Sequence, residues 1–201
     1  LRAMKRASAV FTELGWETEI VVCDNNSTDR TGEIASAEGA RVVFEPVNQI
    51  GRARNTGARA ATGDWLIFVD ADSEPQPELF RDVAACIQSG KVLAGGATVR
   101  VEVRGRIARW ICQSWNWLSR WQRWAAGSFI FCSAEAFRTI GGFSEALYAS
   151  EEIDLSKRLK KLARQRGMRM EILHRHPLAT SARKMDLYSP REHAEVAKGW
   201  R

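Results

Sequence analysis

The apolar run Trp65-Leu66-Ile67-Phe68-Val69 ends abruptly in Asp70-Ala71-Asp72, with Gly63-Asp64 before it and Pro75 after it. Such a run between turn formers reads as a strand buried on both faces. Two carboxylates one residue apart do not belong inside a sheet. They fit where the strand runs out into solvent, or where a cation meets them. In open parallel sheets the carboxyl ends of strands are where ligands sit. Hard divalent cations prefer oxygen ligands, and Mg²⁺ takes one or two carboxylates plus phosphate oxygens. Asp70 and Asp72 are therefore expected to hold a metal that carries a nucleotide diphosphate. A pair of turn-forming aspartates after a strand is the plainer alternative.

The residues before this strand alternate between helix and strand signals. Residues 1–14 carry Leu1, Met4, Ala7, Val10, Phe11 and Leu14 at helical spacing, and Gly15 stops them. Glu19 to Cys23 is a short strand that runs into Asp24-Asn25-Asn26-Ser27-Thr28-Asp29, a loop rich in turn and capping residues. A helix to about Ala37, a strand over Arg41–Phe44 and a helix from Gly51 to Ala61 follow. After the Trp65–Val69 strand, Pro77 to Gln88 is a helix with proline in its first turn. Alternation of this kind implies a parallel α/β sheet.

Beyond it, Lys91–Val103 reads as one or two strands, Ser128–Cys132 as a short strand capped into a helix by Ser133, and Gly141-Gly142-Phe143 as a sharp turn. Glu151 to Arg166 is a strong helix with Leu155, Leu159 and Leu162 on one face, and Met168 to Leu173 is a strand leading to His174-Arg175-His176-Pro177. The last stretch reads as loop and one short helix.

With 201 residues the chain fits a single domain, and its 45% hydrophobic and 27% charged content is ordinary for a soluble one. Lys and Arg exceed Asp and Glu by 30 to 24, a net +6 that favours an anionic partner: a nucleotide, an acidic membrane surface or a nucleic acid. No stretch approaches the ~20 apolar residues of a membrane span. Nor is there a charged-then-apolar leader. Cys23, Cys86, Cys112 and Cys132 are widely spaced, without a Cys-x-x-Cys pair, and fit reduced thiols in a cytoplasmic protein. The chain starts at Leu1 inside a helix, so residues upstream are expected to be missing.

Four motifs stand in a telling order: the Asp24–Asp29 loop; Gly51-Arg52-Ala53-Arg54-Asn55-Thr56-Gly57 with Ala60, Gly63 and Asp64; Asp70-Ala71-Asp72; and Gly141-Gly142-Phe143 followed by Glu151-Glu152-Ile153-Asp154-Leu155 and Arg158-Leu159. Together they resemble the family 2 glycosyltransferases of the inverting, GT-A-fold type, over roughly residues 5–180. The resemblance implies a Rossmann-like α/β three-layer sandwich with a mostly parallel central sheet. Residues 1–90 would form its nucleotide-sugar half, with the family's first strand apparently missing, and 91–201 its acceptor half. It implies metal-dependent transfer, with Mg²⁺ or Mn²⁺, of a sugar from a nucleotide-diphosphate sugar to an acceptor hydroxyl, with the acceptor lipid-linked as one option.

The family also suggests roles residue by residue. Asp24 stands where the family contacts uracil or its equivalent, with Asn26 in the same nucleotide-binding loop; helix capping is the competing role for Asp24. Arg54 lies near a helix N-terminus suited to a phosphate or base contact, whereas Arg52 reads as a solvated surface charge. In the family the first Asp of the Asp-x-Asp motif contacts ribose or metal and the second ligates the ion, which maps to Asp70 and Asp72. The family's Glu-Asp pair has its base second, which maps to Glu152, here a Glu in place of Asp, with Glu151 as the fallback. Both open a helix, where the macrodipole favours the ionised form that a base needs. Asp154 with Arg158 reads as a structural i,i+4 pair. A histidine after the final strand often completes the metal site, so His176, or else His174, is the candidate ligand. Arg183 and Lys184 could close over the diphosphate, or be plain surface charges.

Residues 104–124 gather five Trp and five Arg. That composition suits packing against the sheet, an aromatic acceptor platform, or peripheral contact with the inner face of an anionic membrane. The rival readings are a non-catalytic basic module that binds membrane or nucleic acid, and a nucleotidyltransferase on the same sheet. The glutamate helix after Gly141-Gly142-Phe143 argues against the second, and no nucleic-acid partner is expected.

Overall fold

The computed structural model describes residues 1–101, 125, 127–147 and 150–180. In chain order these form α1 (Arg2–Glu13), β1 (Val21–Asp24), α2 (Thr31–Ala37), β2 (Arg41–Phe44), α3 (Ile50–Ala60), β3 (Trp65–Val69), β4 (Ser73–Glu74), α4 (Pro77–Gln88) and β5 (Val92–Val101). They continue with β6 (Phe129–Ser133), α5 (Ala134–Thr139), α6 (Glu151–Gln165) and β7 (Arg169–Thr180). The residues that signalled boundaries act as such: Pro77 opens α4, and the Ser133 hydroxyl accepts the Ala136 N–H at the start of α5. Gly15 and Gly167 follow α1 and α6 with φ of 77° and 65°.

β1 and β2 form a parallel pair in register Val21↔Arg41 to Asp24↔Phe44. The other five strands lie in the order β3-β6-β5-β7-β4. β5 and β7 are parallel, while β3–β6, β5–β6 and β4–β7 are antiparallel. The α/β layering is as expected, with a sheet more mixed than parallel. β3 and β5 run the same way with α4 crossing between them. They leave one position that β6 fills in the opposite direction.

The alternation of side chains sets two cores. Leu66, Ile130 and Cys132 point to a cluster with Ala58, Phe137, Phe143, Leu155 and Leu159 of the α3, α5 and α6 layer. Phe129 and Phe131 point the other way, to Val10 and Phe11 of α1 and Leu79, Phe80 and Val83 of α4. β6 is the strand buried on both faces. β3 is not, because it ends the five-strand order: only Leu66 is fully buried and its neighbours are half-covered. At Gly95 any side chain would drive into the Phe131 ring, 2.5 Å from its Cζ, so glycine there lets the aromatic layer close on β5.

β7 runs further than its apolar run suggested. Between the pairs Leu173↔Ala97 and Leu178↔Val99 it holds four residues, His174 to Pro177, against Thr98 alone. The bulge lodges Pro177 where a missing N–H breaks no ladder bond, and the strand resumes to Thr180. Cys23, Cys86 and Cys132 are free thiols, and complete burial pushes Cys132 up to about 12. Among the described residues no helix is long and apolar enough to cross a membrane. Cys112, the Trp-rich stretch 104–124 with its packing or membrane contact, and the Arg183–Lys184 clamp lie outside the described residues.

Candidate active site

Apart from His176 on β7, the expected site residues come from four places: the ends of β1 and β3, the first turns of α3, and the first turn of α6. Arg54 joins three of them. Its Nη2 donates to Asp70 Oδ1 at 2.9 Å and to the Gly127 carbonyl at 2.7 Å, and its Nη1 reaches Glu151 Oε1 at 3.2 Å. The guanidinium carbon lies 5.2 Å from the centre of the Phe143 ring. The planar fork suits three acceptors at once, which a lysine ammonium could not match in geometry. With 11% of its side chain exposed, Arg54 is a buried hub that spends these hydrogen bonds on the protein itself.

Its neighbour Asn55 fixes the turn that carries Phe143. Asn55 Nδ2 donates to the Phe143 carbonyl at 3.0 Å, and Asn55 Oδ1 accepts the Phe143 N–H at 2.9 Å. A second bond from Nδ2 goes to Glu145 Oε1 at 3.1 Å. From the other side, Arg158 Nη1 donates to the Ile140 and Gly142 carbonyls, both at 2.7 Å, while Asp154 holds its Nε and Nη2. Gly142 has φ 71°, and a Cβ on it would sit 2.6 Å from Asn55 Oδ1. The sequence marked this turn but not its clamp. Asn55→Ala strips both backbone groups of Phe143 of their partner in a buried place, and should cost about 2–4 kcal/mol of stability. Thermal or urea unfolding checks it, with Asn55→Asp as the milder control.

α6 begins at Ser150, which takes the left-handed conformation with φ 64°, and places Glu151, Glu152 and Asp154 in its first turn. Glu151 is buried and paired with Arg54. Glu152 lies against Gly127, where a Cβ would stand 3.6 Å from its carboxyl carbon. Burial first, then the Glu151 charge, push the Glu152 carboxyl above the usual range, and Arg54 pulls it part-way back. The helix dipole invoked from sequence is outweighed here by desolvation and a like charge.

At the end of β3 the Asp70 N–H bonds the Ser128 carbonyl at 3.2 Å, and the Ser73 N–H returns to the Asp70 carbonyl at 3.0 Å. This tight corner carries Asp70 and Asp72, both half-buried. Two carboxylates are a hard oxygen donor set that fits Mg²⁺ or Mn²⁺ with its remaining positions left to phosphate and water. Among the described residues no three His, Cys, Asp or Glu side chains gather into a fuller metal cage.

His176 does not join that corner. Its Nδ1 pairs with Asp82 Oδ2 of α4 at 3.0 Å. It sits in the bulge opposite Thr98, which lies three residues before Val101, the partner of Thr180, or about 10 Å along β5 at ~3.3 Å per residue. Thr180 is what meets the corner, through Ser73 Oγ at 3.1 Å. The strand carries His176 to α4, where Asp82 holds its Nδ1, and His174 is exposed in the same bulge.

At the end of β1, Asp24 Oδ1 accepts the Ser27 N–H at 3.0 Å, so its carboxylate braces the loop ahead of α2 and does not cap that helix. Ser27 and Thr28 do not cap α2; Asp29 takes the Thr31 N–H and hydroxyl instead. Asn26 contributes its backbone, with φ 59°. Asn25, unremarked in the sequence, ties the loop to β2's exit by donating to the Glu45 carbonyl at 3.0 Å and the Val47 carbonyl at 2.6 Å. A run of two asparagines among turn formers was the available signal.

Residues 10–139 match the model of Glycosyl transferase family 2. The chain belongs to glycosyl transferase family 2. An uncharacterised glycosyltransferase of Mycobacterium bovis is 32% identical over 102 residues, 51% of this chain and 46% of that protein. The mannosyltransferase PcManGT from Pyrobaculum calidifontis, solved with GDP-Man and Mn²⁺, superposes with a TM-score of 0.64 at 18% identity, covering 96% of this chain and 56% of that one. Glucosyl-3-phosphoglycerate synthase from Mycobacterium tuberculosis, solved with Mn²⁺, UDP and phosphoglyceric acid, gives 0.63 at 19% identity, covering 96% and 68%. The fold is that of the GT-A glycosyltransferases. The family 2 chain spans less than half the length of the curated relatives it matches.

Proposed function

We propose that this family 2 chain transfers a sugar from a nucleotide-diphosphate sugar to an acceptor hydroxyl, with inversion and with the help of Mg²⁺ or Mn²⁺. The observation that carries the reading is the convergence on Arg54 of Asp70, at the expected donor end, and Glu151, beside the candidate base. Complexes of similar folds with GDP-Man, UDP and Mn²⁺ support it.

Asp72 and Asp70 are the residues that would hold the metal, which, when bound, would offset the charge growing on the leaving diphosphate. Asp24 and Asn26, at the exit of β1, form the nucleotide-facing loop in this reading. Arg54 orders the floor between the donor and the base rather than offering a spare fork to phosphate. Glu152 takes the acceptor proton: a carboxyl with its affinity for protons raised is a stronger base once ionised. A single in-line displacement needs only this one base, on the face opposite the leaving group. A hexosyl donor and an acceptor that is lipid-linked belong to the same reading, as does a cytoplasmic site of action.

The test offers water as the acceptor. UDP-glucose and GDP-mannose, each with Mn²⁺, are incubated with the protein, and the released sugar is followed by proton NMR before mutarotation. Release of a nucleoside diphosphate with the opposite anomer formed first is expected. The same anomer would overturn inversion, and no release from either, with no nucleotide binding, would overturn the transferase reading.

A further inference from the structure

Glu151 and Glu152 are adjacent carboxyls, and the sequence leaves open which of them acts. The geometry separates them. Glu151 is buried, with 8% of its side chain exposed, and its Oε1 is held by Arg54 Nη1 at 3.2 Å. The other nitrogen of the same fork is bound to Asp70 Oδ1 and to the Gly127 carbonyl. Glu152 lies against the Gly127 side of this assembly. A carboxylate locked to a buried guanidinium is poorly placed to collect a proton from an incoming hydroxyl. It is well placed to fix the guanidinium.

We propose that Glu151 and Arg54 are a pair of positioning residues for Glu152: Glu151 anchors the Arg54 fork, and Arg54 ties the first turn of α6 to Asp70 at the end of β3. This rests on the reading of Glu152 as the base, and it assigns Glu151 a part other than stand-in base. Among the described residues, the charged groups that bear on Glu152 are Glu151 from its own helix and Arg54 from α3. The loop before β6 faces it with the backbone of Gly127, and Asp70 acts on Arg54.

The two charges pull on Glu152 in opposite senses: Glu151 favours its protonated form and Arg54 its ionised form. Their removal must therefore move its titration in opposite directions, which damage to packing alone would not do. The protein is labelled with glutamate carrying ¹³C at the carboxyl, and the Glu152 resonance is assigned by its loss in Glu152→Gln. It is then titrated without substrate. Glu151→Gln should lower the Glu152 midpoint and Arg54→Gln should raise it, each by about one pH unit. Glu151→Gln with Arg54→Gln should return it toward the parent value, and Arg54→Lys, which keeps the charge, should leave it near that value.

Movement of both single variants in the same direction, or of neither, overturns the proposal. If Arg54→Gln does not fold, Glu151→Gln alone decides, with an unmoved or raised midpoint as the contrary result. Because the titration needs no turnover, absence of both sugar release and nucleotide binding would sink the transferase reading, while the titration decides the pairing of Glu151 and Arg54 around Glu152 by itself.

Discussion

Glu152→Gln should lower the rate of sugar transfer by about 10²–10⁴-fold while leaving nucleotide binding and the fold intact. The range is what a positioned general base supplies. Glutamine keeps the shape and length of the side chain and removes only the proton acceptor. Burial and the Glu151 charge already penalise the ionised Glu152, so its neutral replacement relieves strain and should not lower the unfolding temperature. The sign of the pH dependence follows. The group works only when deprotonated, and its folded-state pKa is raised, so activity should fall on acidification through a pH above that of an ordinary glutamate. Rate profiles of the parent protein and calorimetric melts of the variant check both halves. A variant that retains its turnover would remove Glu152 from the role.

Asp72→Ala should abolish metal-assisted nucleotide binding. Loss of an outer partner at a metal site costs roughly 10–100-fold in affinity, and loss of one of two carboxylates that hold the ion should exceed that. The backbone bonds of the corner, from the Asp70 N–H to the Ser128 carbonyl and from the Ser73 N–H to the Asp70 carbonyl, remain in the variant. Asp70→Ala is the informative contrast. It takes a carboxylate from Arg54 as well, leaving the guanidinium with Glu151 and the Gly127 carbonyl, and should also destabilise the fold.

Much of the architecture was legible because local chemistry and burial agree. The helix from Pro77 ends at Gln88 as read, Trp65–Val69 is a strand, and Gly15 and Gly167 stop their helices with positive φ. β4 escaped notice because two residues carry no period, and β7 because Pro177 hides a strand that resumes past a bulge. The site was legible as residue types and not as contacts. Arg54 looked like a ligand for phosphate at a helix end, since sequence cannot show that two carboxylates 16 and 97 residues away converge on it. Asn55 stood in the sequence only as a member of the Gly51–Gly57 motif, and is buried under the turn that it clamps. His176 followed a strand, as a metal ligand would, but the strand did not end there. The helix dipole at Glu152 was a sound local argument that lost to burial, which only the folded chain reveals.

The most direct test of a donor site built on Asp70 and Asp72 is calorimetric titration of UDP and GDP into the protein, with and without Mn²⁺. Binding of one nucleotide that appears or tightens sharply with Mn²⁺ is the expected result, and it names the base of the donor. Binding that is indifferent to Mn²⁺, or absent for both nucleotides, would contradict it.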